Sequence, residues 1–295
     1  MPTSGADTGH EISAGIGQTV RPVTDTEVAF FEQNGWVLLR GLVSPEACGA
    51  MLARGKPRMA QLLGGDQSVS AFDSSTREHM TVAGARGEGT VTDIKQWVEW
   101  RGAVRDARDP AFCAVSLDRQ MGRNVRRLLG RDRPVRVYHD ILTCKLPDEV
   151  SIPTSYHQDG PNFPIDRNAL TVWIALVEIT PDMGPVQFHS GSHKCGLLGG
   201  IPFHSKFDLV EEYPELVEKF PLSPAHHMQP GDATVHHSLT AHGASANTTP
   251  RQRWSFLTSY FPEGTRYTGA PNHDTDGLDL KVGYEIEHPS FPQVD

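Results

Sequence analysis

Cysteine is scarce and scattered. The four residues Cys48, Cys113, Cys144 and Cys195 form no CxxC pair, which argues against a disulfide framework and a structural zinc site and leaves a reduced, cytoplasmic setting as the expectation. Positive charge is also in deficit. There are 27 Lys and Arg against 36 Asp and Glu, a net charge of −9 with His neutral, whereas a nucleic-acid partner would call for a concentrated basic surface. No stretch approaches the roughly 18 apolar residues of a membrane span. Residues 1–20 are Gly/Ser/Thr-rich, with neither a basic start nor an apolar run, so no signal peptide is expected. There is no internal repeat.

What is present suits a globular protein with a sizeable core: 38% hydrophobic and 21% charged residues over 295 positions. Length alone would allow two domains, but β-barrels and sandwiches often run this long as one. Residues 1–22 read as a disordered tail. A helix is expected from Thr24 to Asn34, capped by Thr24 or Thr26 and ended by Gly35, and then a strand over 36–40. Ser44 and Pro45 open a second helix, expected in two pieces as far as Leu63 because Gly55 and Pro57 interrupt it. Residues 66–92 are polar and Gly-rich, and residues 94–100 are apolar and aromatic. Another helix is expected from Asp109 and Pro110 to Leu129, closed by Gly130. Beyond it short strands follow, over 135–142, 155–158, 170–179, 186–189, 233–237 and 253–261. Helices first and strands later predict a mainly β fold with flanking α-helices, a double-sheet jelly-roll barrel. The expected division is one domain over 23–295: a helical part at 23–134, a jelly-roll core at 135–262 and a C-terminal extension at 263–295.

The most informative residues are His157 and Asp159. Two apart in a strand, they share a face, and one imidazole with one carboxylate makes two of the three ligands that hold a non-haem Fe(II). Turn chemistry before Gly160 and Pro161 accounts for Asp159 equally well by itself. A third ligand must come from downstream, where His236, His237 and His242 compete. Since His236 and His237 are adjacent in a strand, only one of them faces inward. Arg253 and Ser255 again share a face, and a cationic fork beside a hydroxyl suits a dicarboxylate.

Taken with the Trp173 strand, the Gly191-Ser192-His193 loop, the Gly231-Asp232 turn, His242-Gly243, Asn247 and an Arg eleven residues past His242, the chain resembles the phytanoyl-CoA dioxygenase family of Fe(II)/2-oxoglutarate oxygenases. It departs from the family at Met183, His189-Ser190 and Ala244, none of them a metal ligand. The resemblance implies a double-stranded β-helix fold of the cupin type. It implies Fe(II) on His157, Asp159 and His242, with His237 the next choice, and 2-oxoglutarate anchored by Arg253 and Ser255; Thr143, Trp173 and Lys145 are further candidates to line the cosubstrate pocket, with core packing or solvated surface the alternative for each. It implies O2 as co-reactant and oxidation of a C–H bond in a small organic molecule, a secondary metabolite, with hydroxylation, epimerisation, desaturation and cyclisation all open as outcomes. An Asp at 159 argues against halogenation, since related halogenases carry a small residue there. From chain position alone, Phe72, Arg86, Lys95, Gln96, Trp97 and Trp100 are expected to face the substrate at the barrel mouth. The alternatives are an inactive or non-oxygenase cupin-like metal-binding barrel, and a zinc hydrolase, which the lack of an HExxH helix disfavours.

Overall fold

All strand pairings in the computed structural model, which describes residues 18–62, 98–146, 151, 153–198 and 208–294, are antiparallel and fall into two sheets. The strands are β1 (Trp36–Leu39), β2 (Val98–Arg101), β3 (Val135–Lys145), β4 (Thr154–His157), β5 (Leu170–Ala175), β6 (Val186–Phe188), β7 (Ala233–His237), β8 (His242–Ala244), β9 (Arg253–Pro262) and β10 (Gln293–Val294). The larger sheet runs β1-β7-β5-β9-β3-β10, with β2 also on β3, and the smaller runs β4-β8-β6. The result is the strongly curled antiparallel half-barrel of a jelly roll.

Register decides what each face of the large sheet does. Leu142, Phe256, Ile174 and Ala233 are successive cross-strand partners on one face. They join the main core with Phe112 and Val115 of α3 (Pro110–Ser116) and Met51 of α2 (Pro45–Leu62). Partners one residue away point the other way, so His139, Ser259, Thr171 and His236 form one rung on the inner face. Thr143, Ser255 and Ala175 form a second, and Lys145 with Arg253 a third. The polar character of those rungs marks the inner face as the working face.

The helices follow local rules with two departures. α1 (Asp25–Asn34) carries a full capping box between Thr24 and Glu27 and ends on Gly35 in the left-handed region at φ 75°. α2 is one helix rather than two pieces. Gly55 does not break it; a Cβ there would lie 2.2 Å from Leu142 Cδ2, so the glycine is what lets the helix close on the sheet. Pro57 costs one backbone hydrogen bond near the C-terminal end, which packing offsets. The helix expected over 109–129 is two, α3 and α4 (Arg119–Leu129), because Asp118 caps a new start by accepting from Gln120 N at 2.6 Å. α5 (Leu209–Glu212) and α6 (Glu215–Lys219) are short.

Residue 22 is not the end of a tail. Val20 is buried and bridges Val43. The C-terminal extension is built into the fold: Ile286 and Phe291 pack on Tyr138, Phe163 and Phe261, and β10 extends the sheet beyond β3. All four cysteines are free thiols. Among the described residues no helix is long and apolar enough to cross a membrane.

Candidate metal centre and cosubstrate pocket

His157 ends β4 and His242 opens β8, and the two are register partners in the small sheet. Their rings lie 4.2 Å apart. Asp159 follows two residues after His157, at the start of the turn Gly160–Asn162, and brings Oδ1 to 3.7 Å from His157 Nε2 and 3.6 Å from His242 Nε2. One donor atom from each of the three lies within 4.8 Å of the others. Both histidines are held in one tautomer. Nδ1 of His157 bonds Ser155 O at 2.8 Å and Nδ1 of His242 bonds Thr240 O at 2.9 Å. A carbonyl only accepts, so each Nδ1 carries the proton and each Nε2 turns a lone pair to the centre.

Asp159 Oδ2 is already occupied. It accepts from Thr171 Oγ1 at 2.9 Å and His236 Nε2 at 3.1 Å, which leaves Oδ1 for the centre. His236 is thereby spent on the carboxylate. His237 lies on the opposite face, where its Nδ1 accepts from Leu239 N at 3.1 Å. Burial would raise the Asp159 carboxyl, but the surrounding imidazoles, His242 foremost, hold it well below the usual carboxylate range. Burial also lowers His157 and His242, keeping them neutral as ligands must be. Two neutral imidazole nitrogens and one ionised oxygen, each with its lone pair aimed inward, are a donor set that fits Fe(II).

The cations lie on the inner face of the large sheet. Arg253 is buried, stacks its guanidinium 5.3 Å from the Trp173 ring, and donates Nη1 to Gly184 O, while its Nε has no partner. Lys145 is fully buried and donates Nζ to Ser245 O at 2.5 Å. The Thr143 and Ser255 hydroxyls sit on the neighbouring rung, 2.8 Å apart. No carboxylate of the described residues pairs with either cation. Burial, with help from Arg253, drives the Lys145 ammonium down to about 6, and burial lowers Arg253 to about 10. A buried guanidinium with no counter-charge, a buried lysine amine that an arriving anion can charge, two hydroxyls and an aromatic floor make a receptor for an anion.

His157, Asp159 and His242 therefore gather on the small sheet and its turn, and Arg253, Ser255, Thr143 and Trp173 on the inner face of the large sheet. Trp100, expected to meet substrate, does not join them. It pairs with Leu142 on the outer face and packs edge-on to Phe112 in the core, because β2 parity turns Glu99 and Arg101 inward instead. Phe72, Arg86, Lys95, Gln96 and Trp97, with most of the proposed mouth at 66–100, lie outside the described residues. Lys145 joins Arg253 as expected of a pocket candidate, His236 serves the carboxylate rather than the metal position, and Thr171 carries no motif of its own. Strand parity counted outward from Arg253 and Asp159 is the signal that places all three.

The family model for phytanoyl-CoA dioxygenase matches residues 31–255. The chain is 27% identical over 257 residues to phytanoyl-CoA dioxygenase 1 of Oryza sativa subsp. japonica, covering 78% of this chain and 86% of that protein. It is 31% identical over 162 residues to a methylphosphonate hydroxylase of Gimesia maris, covering 55% of each. Among solved structures, the non-heme alpha ketoglutarate dependent carbocyclase SnoK from nogalamycin biosynthesis superposes with a TM-score of 0.70 at 24% identity, covering 95% of this chain and 100% of that one. The epimerase SnoN, in complex with Fe3+, alpha ketoglutarate and nogalamycin RO, gives 0.68 at 22%, covering 92% and 98%.

Proposed function

The chain belongs to the phytanoyl-CoA dioxygenase family, and from that premise, which makes it a dioxygenase dependent on Fe(II), 2-oxoglutarate and O2, we propose that it oxidises an unactivated C–H bond of a small organic molecule, a secondary metabolite. The observation that carries the reading is a His157–Asp159–His242 donor set on the small sheet and its turn, set against an anion receptor on the inner face of the large sheet, with Asp159 held by Thr171 and Lys145 reaching Ser245 across the two.

His157 and His242 would hold the metal through Nε2, and Asp159 would hold it through its free Oδ1. Iron held there would supply the activation of O2 that couples decarboxylation of 2-oxoglutarate to oxidation of the substrate. Arg253 takes the remote carboxylate of 2-oxoglutarate with its planar fork, and Ser255 and Thr143 offer hydroxyls beside it. Trp173 walls the pocket and keeps water from the guanidinium. A carboxylate at 159 fills the position that halide needs, which supports oxygenation. The solved neighbours include a carbocyclase and an epimerase of one biosynthetic route, which supports a secondary-metabolite substrate while leaving hydroxylation, epimerisation, desaturation and ring closure all within reach of one fold. A non-catalytic barrel would have no use for a buried guanidinium and a buried lysine that no carboxylate of the described residues partners.

The test is to load the protein with Fe(II) and 2-oxoglutarate without oxygen, then admit oxygen and quantify succinate. Metal-dependent succinate from the wild type, lost in His157→Ala, is expected. Absence of succinate, or an equal yield from the variant, contradicts the reading.

A further inference from the structure

Asp159 Oδ2 is the inner end of a hydrogen-bond chain that starts in the C-terminal extension. Thr171 Oγ1 donates to Oδ2 at 2.9 Å, and the Thr171 and Ser259 hydroxyls are 2.8 Å apart. Ser259 Oγ lies 3.0 Å from His139 Nε2, and His139 Nδ1 lies 3.2 Å from Asp274 Oδ2. Arg105 closes the outer end with Nη1 on Asp274 Oδ1 at 2.6 Å. Sheet register lines the inner members up, since His139, Ser259 and Thr171 are partners across β3, β9 and β5. Ser259 and Thr171 are buried, so the order of the chain is set by protein groups.

Counting protons settles its direction. The ionised Asp159 only accepts, so the one Thr171 proton is spent on it. Thr171 must then accept from Ser259, which spends the Ser259 proton. His139 Nε2 must in turn donate to Ser259, while His139 Nδ1 donates to the Asp274 carboxylate. Every member is satisfied only when both ring nitrogens of His139 donate. Charges then alternate along the chain from Arg105 through Asp274 and His139 to Asp159. Burial would raise the Asp274 carboxyl, and its bond with His139 leads the effects that lower it instead.

We infer that His139 and Asp274 are positioning residues for the metal's carboxylate, acting through Ser259 and Thr171. The inference rests on the reading that Asp159 is a metal ligand. Turning both carboxylate oxygens to the metal would break the Thr171 and His236 bonds, so the chain restricts Asp159 to Oδ1. It also gives the C-terminal extension a part in the metal site although none of its described residues reaches the centre.

The experiment measures Co(II) affinity and the visible ligand-field spectrum on metal-free protein, a readout independent of turnover. Ser259→Ala and His139→Gln should each weaken Co(II) binding by about tenfold or more, the size of effect that groups behind a metal ligand carry. The double variant should be no weaker than Ser259→Ala alone, because the chain is already cut. Ser259→Thr, which keeps the hydroxyl, should restore affinity. Asp274→Asn should weaken binding in the same direction, and serves where His139→Gln fails to fold. Wild-type affinity in Ser259→Ala, or losses that multiply in the double variant, overturns the inference. A wild type that takes no Co(II) overturns the metal-site reading and this one with it, whereas a metal-binding wild type with an indifferent Ser259→Ala overturns the chain alone.

Discussion

Lys145 and Arg253 face each other as register partners across β3 and β9, both buried, and neither is paired with a carboxylate of the described residues. Burial holds the Lys145 ammonium at about 6. Above that pH the empty pocket keeps a neutral lysine, and a carboxylate arriving beside it restores the charge. Binding of 2-oxoglutarate to the metal-loaded protein should therefore take up a proton. Affinity should be strongest near or below pH 6 and fall as pH rises, by at most about tenfold per unit, until the lysine pKa of the complex is passed. Calorimetry in two buffers of different ionisation enthalpy measures the uptake. Lys145→Met should abolish both uptake and slope; an unchanged slope in that variant would assign the effect elsewhere.

Arg253→Lys should raise the 2-oxoglutarate requirement strongly. A point charge cannot reproduce the planar fork or its stacking on Trp173. Loss of one charge-assisted bond costs about 1.5–3 kcal/mol, or on the order of ten- to a hundredfold in affinity. An unaltered dependence on 2-oxoglutarate would show that Arg253 serves the fold alone.

Trp100→Ala should act on stability and spare the site. The ring packs against Phe112 on the helix side of the sheet, and truncating such a core aromatic costs about 3–5 kcal/mol. Denaturant unfolding should record that loss while 2-oxoglutarate affinity of the folded fraction stays put. Loss of affinity at unchanged stability would return Trp100 to the pocket.

The metal triad was legible because its logic is local. Period two brings His157 and Asp159 together, and the distance from His242 to Arg253 repeats a family spacing. His242 itself sits on a strand of three residues, too short for any pattern to reveal. The spacing to Arg253 favours it over His236 and His237, and the pairing with β4 sets it apart from them in the fold. Helix ends at Thr24 and Gly35 were legible from capping chemistry. Gly55 was not, since its role is contact with a leucine 87 positions away. Trp100 was misplaced because an aromatic cluster does not report which face of a strand it occupies. The chain from Asp274 to Asp159 could not be read at all, since its five members come from five separate segments that meet only once the sheet has formed.

The most direct measurement of the central claim is 2-oxoglutarate binding without oxygen, with and without Fe(II), in the wild type, His237→Ala and His242→Ala. His242 aims Nε2 at the centre, whereas His237 lies on the other face. The account predicts binding that is tight only with Fe(II), retained in His237→Ala and lost in His242→Ala. Binding that ignores the metal, or that survives in His242→Ala, would contradict it.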